Sequence, residues 1–144
     1  HSFVAFDISQ EELNFAKLNL AYFELDKYVD FRIENAEHTS FADGSFDMIF
    51  SVNTLHHLRT PYKVIDELTR ILSQKGKLVL SDFTEDGFKV MDKIHALEGR
   101  THEVSNTTLL DIEPYLTKKG FSIKKATSRC QWVLIAGKGL TQGL

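Results

Sequence analysis

Apolar and polar positions switch repeatedly between two spacings along the chain. Phe3 to Phe6 is a short apolar run, Val29 to Ile33 alternates apolar with polar, and Phe46 to Val52 is almost continuously apolar. Each reads as a strand, the last as one buried on both faces. Lys77 to Phe83 is a further strand, and Phe121 to Ser128 with Gln131 to Gly137 makes an antiparallel hairpin. Between them the period lengthens to that of a helix. Leu13, Ala16, Leu20 and Phe23 share one face behind Ser9 and Glu12, whose S-x-x-E spacing predicts a capping box. Thr60 and Pro61 open a second helix with Val64, Ile65, Leu68, Ile71 and Leu72 on its apolar face, and Gly76 is expected to close it. Residues 85–103 are polar and glycine-punctuated, the least regular part of the sequence. Ser105 or Thr107 caps a final helix that Pro114 bends and Gly120 ends. Strands alternating with helices, then a hairpin, predict an α/β fold with a mostly parallel sheet.

Length bounds this pattern to one domain, residues 1–144, large enough for a true core. Hydrophobic content of 42% and only two prolines fit an ordered globular chain. The net charge is -3, without a block of five like charges, so nucleic acid is not an expected partner. Cys130 stands alone, which excludes a disulfide framework or a four-cysteine zinc site and favours a cytoplasmic setting. The longest apolar stretch, Trp132 to Ala136, is too short for a membrane span of about 20 residues. His1 leads directly into a strand, as in a chain cut inside a fold.

The side chains at the strand ends suggest chemistry. Asp7 closes the first apolar run, where a carboxylate suits the two hydroxyls of a ribose. In nucleotide-binding folds such an acid follows a glycine-rich turn by about 20 residues, yet only six residues precede Asp7. Asn35 sits at a turn after the second strand. His56 and His57 are adjacent, so one of them is expected to face a site. Carboxylates or cysteines at ligand spacing do not accompany them, and no metal is expected. Asp47 reads as a turn anchor and Asp82 as facing a cleft at a strand's carboxyl end. His95 and His102 read as loop residues.

The order of these motifs resembles the class I S-adenosylmethionine-dependent methyltransferases, near the ubiquinone/menaquinone-biosynthesis-like subgroup. Val4 to Ser9 resembles the family's second strand. Glu34 to Glu37 is similar to the turn that reads the adenine edge, and Phe41 to Val52 to its fourth strand. Asn53 to Leu58 is similar to the loop beneath the methionine moiety, and Arg70 to Leu80 to the helix end and fifth strand. The resemblance implies a Rossmann-like fold, S-adenosylmethionine as cofactor and a small-molecule acceptor. Asp7, Ile8, Asn35, Ala36, Ser51, Val52 and His56 are the cofactor contacts it implies. It assigns no catalytic residue, because alignment of donor and acceptor carries most of the chemistry.

The family's first strand and glycine-rich loop are not in this sequence. In the family that strand lies mid-sheet, so two half-sheets with bare edges are expected. Direct pairing of the 3–6 and 46–52 strands, or association with another copy, would fill the gap. A catalytically silent interaction or dimerisation module is the alternative function. A nicotinamide-dependent dehydrogenase fragment fits the 41–58 block and the hairpin less well. The methyltransferase reading expects the opening carboxylate and the central block to serve one crevice.

Overall fold

The computed structural model describes residues 3–99 and 107–139. The chain divides into two compact units, His1–Phe41 and Ala42–Leu144.

The first unit is a β-α-β element. Strand β1 (Phe3–Asp7) pairs in parallel with β2 (Val29–Ile33), from Phe3 opposite Val29 to Asp7 opposite Ile33. Helix α1 (Gln10–Tyr22) and a short 3₁₀ turn, Asp26–Tyr28, connect them. Only half of the expected capping box forms. The Ser9 hydroxyl accepts the Glu12 N–H at 3.3 Å, but the Ser9 N–H donates to Asp7 Oδ1 at 2.8 Å rather than to Glu12. Leu13 is buried, whereas Phe23 lies beyond the helix end, exposed, with its ring edge-on to Tyr22 at 5.0 Å. The helix stops one residue too early for Phe23 to join the buried face.

The second unit carries a four-stranded sheet in the order β3-β4-β6-β5. Strand β3 (Phe46–Val52) runs parallel to β4 (Leu72–Phe83). The hairpin strands β5 (Ser122–Thr127) and β6 (Gln131–Gly137) complete it, with β6 antiparallel to both neighbours. Parallel pairing in β1 to β4 followed by an antiparallel hairpin is the predicted α/β architecture. β1 has a single ladder, with β2, and β3 a single ladder, with β4. No ladder between residues 3–6 and 46–52 is among those of the described residues. Nor is β3 buried on both faces. Ile49 is 7% exposed, but Met48, Phe50 and Val52 are each at least half exposed. Successive side chains of a strand point to opposite faces, and the face of β3 that carries Met48, Phe50 and Val52 is open.

Helix α2 (Pro61–Ile71) follows the predicted apolar stripe, with Thr60 as N-cap residue and Pro61 at the first turn. Gly76 does not close it. The chain passes straight from Ile71 into β4, and the ladder then slips: Phe46 faces Leu72 but Met48 faces Lys77. Two steps along β3 thus match five along β4, and the extra residues loop out. Gly76 sits in that loop because a Cβ there would come within 2.7 Å of Leu72 and 3.1 Å of the Asp47 carbonyl. Asp47 also accepts the Ser73 hydroxyl at 2.6 Å, pinning the loop to β3.

The segment read as irregular contains helix α3 (Glu85–Leu97), capped by Thr84, whose hydroxyl accepts the Gly87 N–H. Thr84 followed by Glu85 and Asp86 is a proper helix start; the scattered glycines obscured it. Helix α4 (Leu109–Lys118) starts from Thr108, not Ser105 or Thr107. Asp111 Oδ2 accepts both the N–H and the hydroxyl of Thr108 at 2.8 Å. Ser105 and His102 lie outside the described residues. Ile65, Ile71, Leu78, Ile112 and Leu116 are fully buried and form the core of this unit. Each contributes about 1.5–3 kcal/mol by leaving water.

Candidate active site

Parallel pairing brings the carboxyl ends of β1 and β2 together, and four predicted contacts collect there. Asp7 ends β1, and its backbone carbonyl accepts the Glu34 N–H at 3.0 Å just past β2. Asn35 and Ala36 follow at once. Asn35 Oδ1 accepts the Glu37 N–H at 2.9 Å, and a bridge to His38 closes the turn. Glu34 braces the same loop by accepting both the backbone N–H and the hydroxyl of Ser40. Ile8 projects into solvent, 70% exposed. The Asp7 carboxylate uses Oδ1 to fix the start of α1. The carboxylate accepts hydrogen bonds, the turn offers backbone donors and acceptors, and the exposed apolar side chain offers a packing surface, a set suited to a nucleoside.

In the second unit, Ser51 and Val52 end β3. Asn53 then adopts a left-handed conformation, φ +52°, which asparagine tolerates better than most residues. Its N–H donates to the Ser81 carbonyl at 2.8 Å, and Gln131 Nε2 donates to both Asn53 Oδ1 and Ser81 Oγ. This fixed corner turns the chain into the 3₁₀ turn Leu55–His57. Leu55 and His56 point inward while His57 stays exposed.

His56 meets Asp82, the penultimate residue of β4. His56 Nδ1 lies 2.5 Å from Asp82 Oδ1, and the His56 N–H donates to Oδ2 at 3.1 Å. The Phe83 N–H also donates to Oδ1 at 2.8 Å. Both side chains are more than nine-tenths buried. The two contacts of Asp82 with His56, one to the ring and one to the backbone, fix the orientation of the imidazole. Phe83 and Phe88 pack against the imidazole at 5.5 and 5.3 Å, the latter edge-on.

This pair lines a cavity of about 510 Å³. Phe83, Phe88, Leu109, Leu110 and Trp132 supply apolar wall, and Glu85, Asp86 and Arg129 supply charge. Of the seven predicted contacts only His56 lines it. Asp82 was expected at a cleft and lies there, but its partnership with His56 joins residues 26 apart that no local pattern connects. Phe83, Phe88 and Trp132 carried no signal beyond ordinary core aromatics. His95 falls in the last turn of α3 and is not in the cavity wall. Among the described residues no three His, Cys, Asp or Glu side chains gather as metal ligands.

A sequence profile described as a methyltransferase domain matches residues 1–80, more than half of the chain. The chain belongs to this family. It is 28% identical over 81 residues to the methyltransferase GfsG of Streptomyces halstedii, covering 56% of this chain and 29% of that protein. It is 31% identical over 84 residues to the ubiquinone/menaquinone biosynthesis C-methyltransferase UbiE of Rickettsia prowazekii, covering 58% and 34%. The chain thus spans about a third or less of these relatives' lengths. Its fold is that of a SAM-dependent methyltransferase structure from Methanosarcina mazei, with TM-score 0.68, 22% identity and coverage of 95% of this chain and 82% of that one. Within this methyltransferase domain the matched segment holds all seven predicted cofactor contacts. Every cavity-lining residue except His56 lies beyond it.

Proposed function

We propose that this chain is the cofactor- and acceptor-binding part of an S-adenosylmethionine-dependent methyltransferase acting on a small molecule. The observation that carries the reading is the Asp7 carboxylate at the carboxyl end of a parallel strand, beside the Asn35–Ala36 turn, inside the family-matched segment. Asp7 binds the ribose hydroxyls, Ile8 packs on the adenine, and Asn35 with the Ala36 backbone reads its edge. Ser51, Val52 and His56 contact the cofactor's remaining part. When bound, S-adenosylmethionine supplies an electrophilic methyl on a sulfonium leaving group, so the chain's task is to align and desolvate the acceptor.

The cavity supports a small acceptor, since about 510 Å³ falls in the range that small-molecule sites occupy. A net charge of -3 argues against nucleic acid. Among the described residues no helix is long and apolar enough to cross a membrane. That observation and the lone Cys130 support a cytoplasmic setting. The exposed Met48, Phe50 and Val52 of β3 support self-association through that strand, which light scattering after gel filtration tests. Calorimetric titration with S-adenosylmethionine and S-adenosylhomocysteine tests the main reading. Micromolar binding is expected; the absence of heat with either ligand overturns it for this polypeptide.

A further inference from the structure

We propose that the cavity takes an amphipathic carboxylic acid and that Arg129 is the residue that selects it. The inference rests on the methyl-transfer reading above and names the class of acceptor. The cavity differs from one end to the other. Its closed end is the pair His56 and Asp82, both side chains more than nine-tenths buried and held by the contacts between them. Asp82 stands opposite Trp132 in the β4–β6 ladder, which ends with Phe83 opposite Gln131. Arg129 lies two residues beyond that end, in the turn of the hairpin, with its side chain 87% exposed. The wall therefore has a buried polar end and an open end at Arg129, and Phe88, Leu109 and Trp132 supply apolar surface.

Charge at the open end decides what the polar group of the ligand must be. Among the described residues Arg129 is the one Lys or Arg of the wall, against the acids Glu85 and Asp86. Those two acids are accounted for by α3. They occupy its first turn, where the positive end of the helix dipole favours them. Asp86 Oδ1 also lies 3.3 Å from Lys89 Nζ. Arg129 is less committed: its Nε stays 3.8 Å from Asp86 Oδ2, beyond hydrogen-bond reach. The planar fork of the guanidinium is thus left for a carboxylate, whose two oxygens match its donors. A cation at the same place would meet Arg129 itself. A dianionic phosphate would meet Asp82, Glu85 and Asp86 with about twice the repulsion of a carboxylate. An apolar body carrying a single carboxylate satisfies both the wall and Arg129.

Trp132, the chain's single tryptophan, lines the cavity and reports its occupancy by fluorescence. The full chain is titrated at neutral pH and low ionic strength with 4-phenylbutyrate, 4-phenylbutan-1-ol and 4-phenylbutylamine, which share one body and differ in charge. The acid is expected to saturate at a concentration about fivefold below the alcohol, the scale of an exposed ion pair, with the amine weakest. Added salt should erode that margin. Arg129→Gln should raise the acid's midpoint to the alcohol's and leave the alcohol's where it was, because Thr84 holds the Arg129 carbonyl and not its side chain. Arg129→Lys, which keeps the charge without the fork, should retain part of the margin. An unmoved alcohol midpoint shows that either variant keeps the cavity. Equal midpoints for acid and alcohol in the unaltered chain overturn the assignment. So do tighter binding of the amine, the absence of a Trp132 response to the acid, or an acid preference that survives Arg129→Gln. Heat from S-adenosylhomocysteine without acid preference overturns the selection alone. Acid preference that Arg129→Gln abolishes, without that heat, upholds the selection and overturns the methyl-transfer reading.

Discussion

Gly87 faces the Cys130 carbonyl so closely that a Cβ on it would lie 2.3 Å from the oxygen. This contact joins the first turn of α3 to the loop of the β5–β6 hairpin. Thr84 reinforces it, its hydroxyl donating to the Arg129 carbonyl at 2.6 Å and its N–H to that of Cys130 at 3.2 Å. The hairpin loop and α3 therefore fix each other. Phe88 of α3 and Arg129 of the loop line the cavity, next to Phe83 at the end of β4 and Trp132 at the start of β6.

Gly87→Ala follows from that geometry. A hairpin backbone tied to Thr84 through the carbonyls of Arg129 and Cys130 yields less readily than a flexible side-chain tip, so even one methyl must push the helix and hairpin apart. The expected loss is about 1–3 kcal/mol, the usual range for overpacking, read as a lower urea midpoint with unchanged slope. An unaltered midpoint would show that the loop moves aside at little cost.

Asp7 has two tasks that substitution can separate. Its Oδ1 accepts the Ser9 N–H at the start of α1, and its charge is proposed to hold the ribose. Asp7→Ala should weaken S-adenosylhomocysteine binding by about tenfold to a hundredfold, as loss of a charged hydrogen bond does. Asp7→Asn keeps an oxygen for Ser9, so it should retain the thermal midpoint while still losing much of the affinity. A dissociation constant unchanged in both variants would remove Asp7 from the site.

Strands β1, β2 and the hairpin were legible in the sequence because their signals are local: a short apolar or alternating run, bounded by turn residues. Asp7, Asn35 and His56 were legible as candidates for the same reason, Asp7 closing a strand and the other two following one within a few residues. Gly76 misled because glycine ends helices and also permits close approach, and here it does the second, against Leu72 and the Asp47 carbonyl. Helix α3 was obscured by Gly87, whose purpose lies in Cys130, 43 positions away. The exposure of Met48, Phe50 and Val52 could not be read either, since an apolar run does not say which of its faces is covered. The tie between His56 and Asp82 depends on β3 and β4 being neighbours in register, a property of the folded sheet alone.

Helix α4 offers an internal comparison of burial. Ile112 is 0% exposed, whereas Leu110, two residues earlier, is 57% exposed. Ile112→Ala should cost about 2–5 kcal/mol, because it removes packed methylenes and leaves a void. Leu110→Ala should stay within about 0.5 kcal/mol, as exposed substitutions do. Equal losses in chemical denaturation would mean that α4 does not pack as described.

The acid and alkaline limits of stability converge on Asp66 in α2. Lys119 Nζ lies 2.6 Å from Asp66 Oδ1, and the Tyr115 hydroxyl donates to the same oxygen at 2.7 Å. The hydrogen bond from Lys119, helped by that from Tyr115, holds the Asp66 carboxyl below its ordinary 3.8. Its contribution is thus complete above about pH 4 and is lost as pH falls through the depressed value. The Asp66 carboxylate in turn raises the Tyr115 phenol above 10.0. That contribution is complete below pH 10 and fades as pH climbs through the raised value. The stability difference between the unaltered chain and Asp66→Asn should therefore be a plateau from about pH 5 to 9 that shrinks on both sides. Asp66 is half exposed, so the plateau should be no higher than about 1 kcal/mol. Urea unfolding at a series of pH values measures it, and a difference that grew below pH 4 would show that Asp66 is not stabilised as its carboxylate.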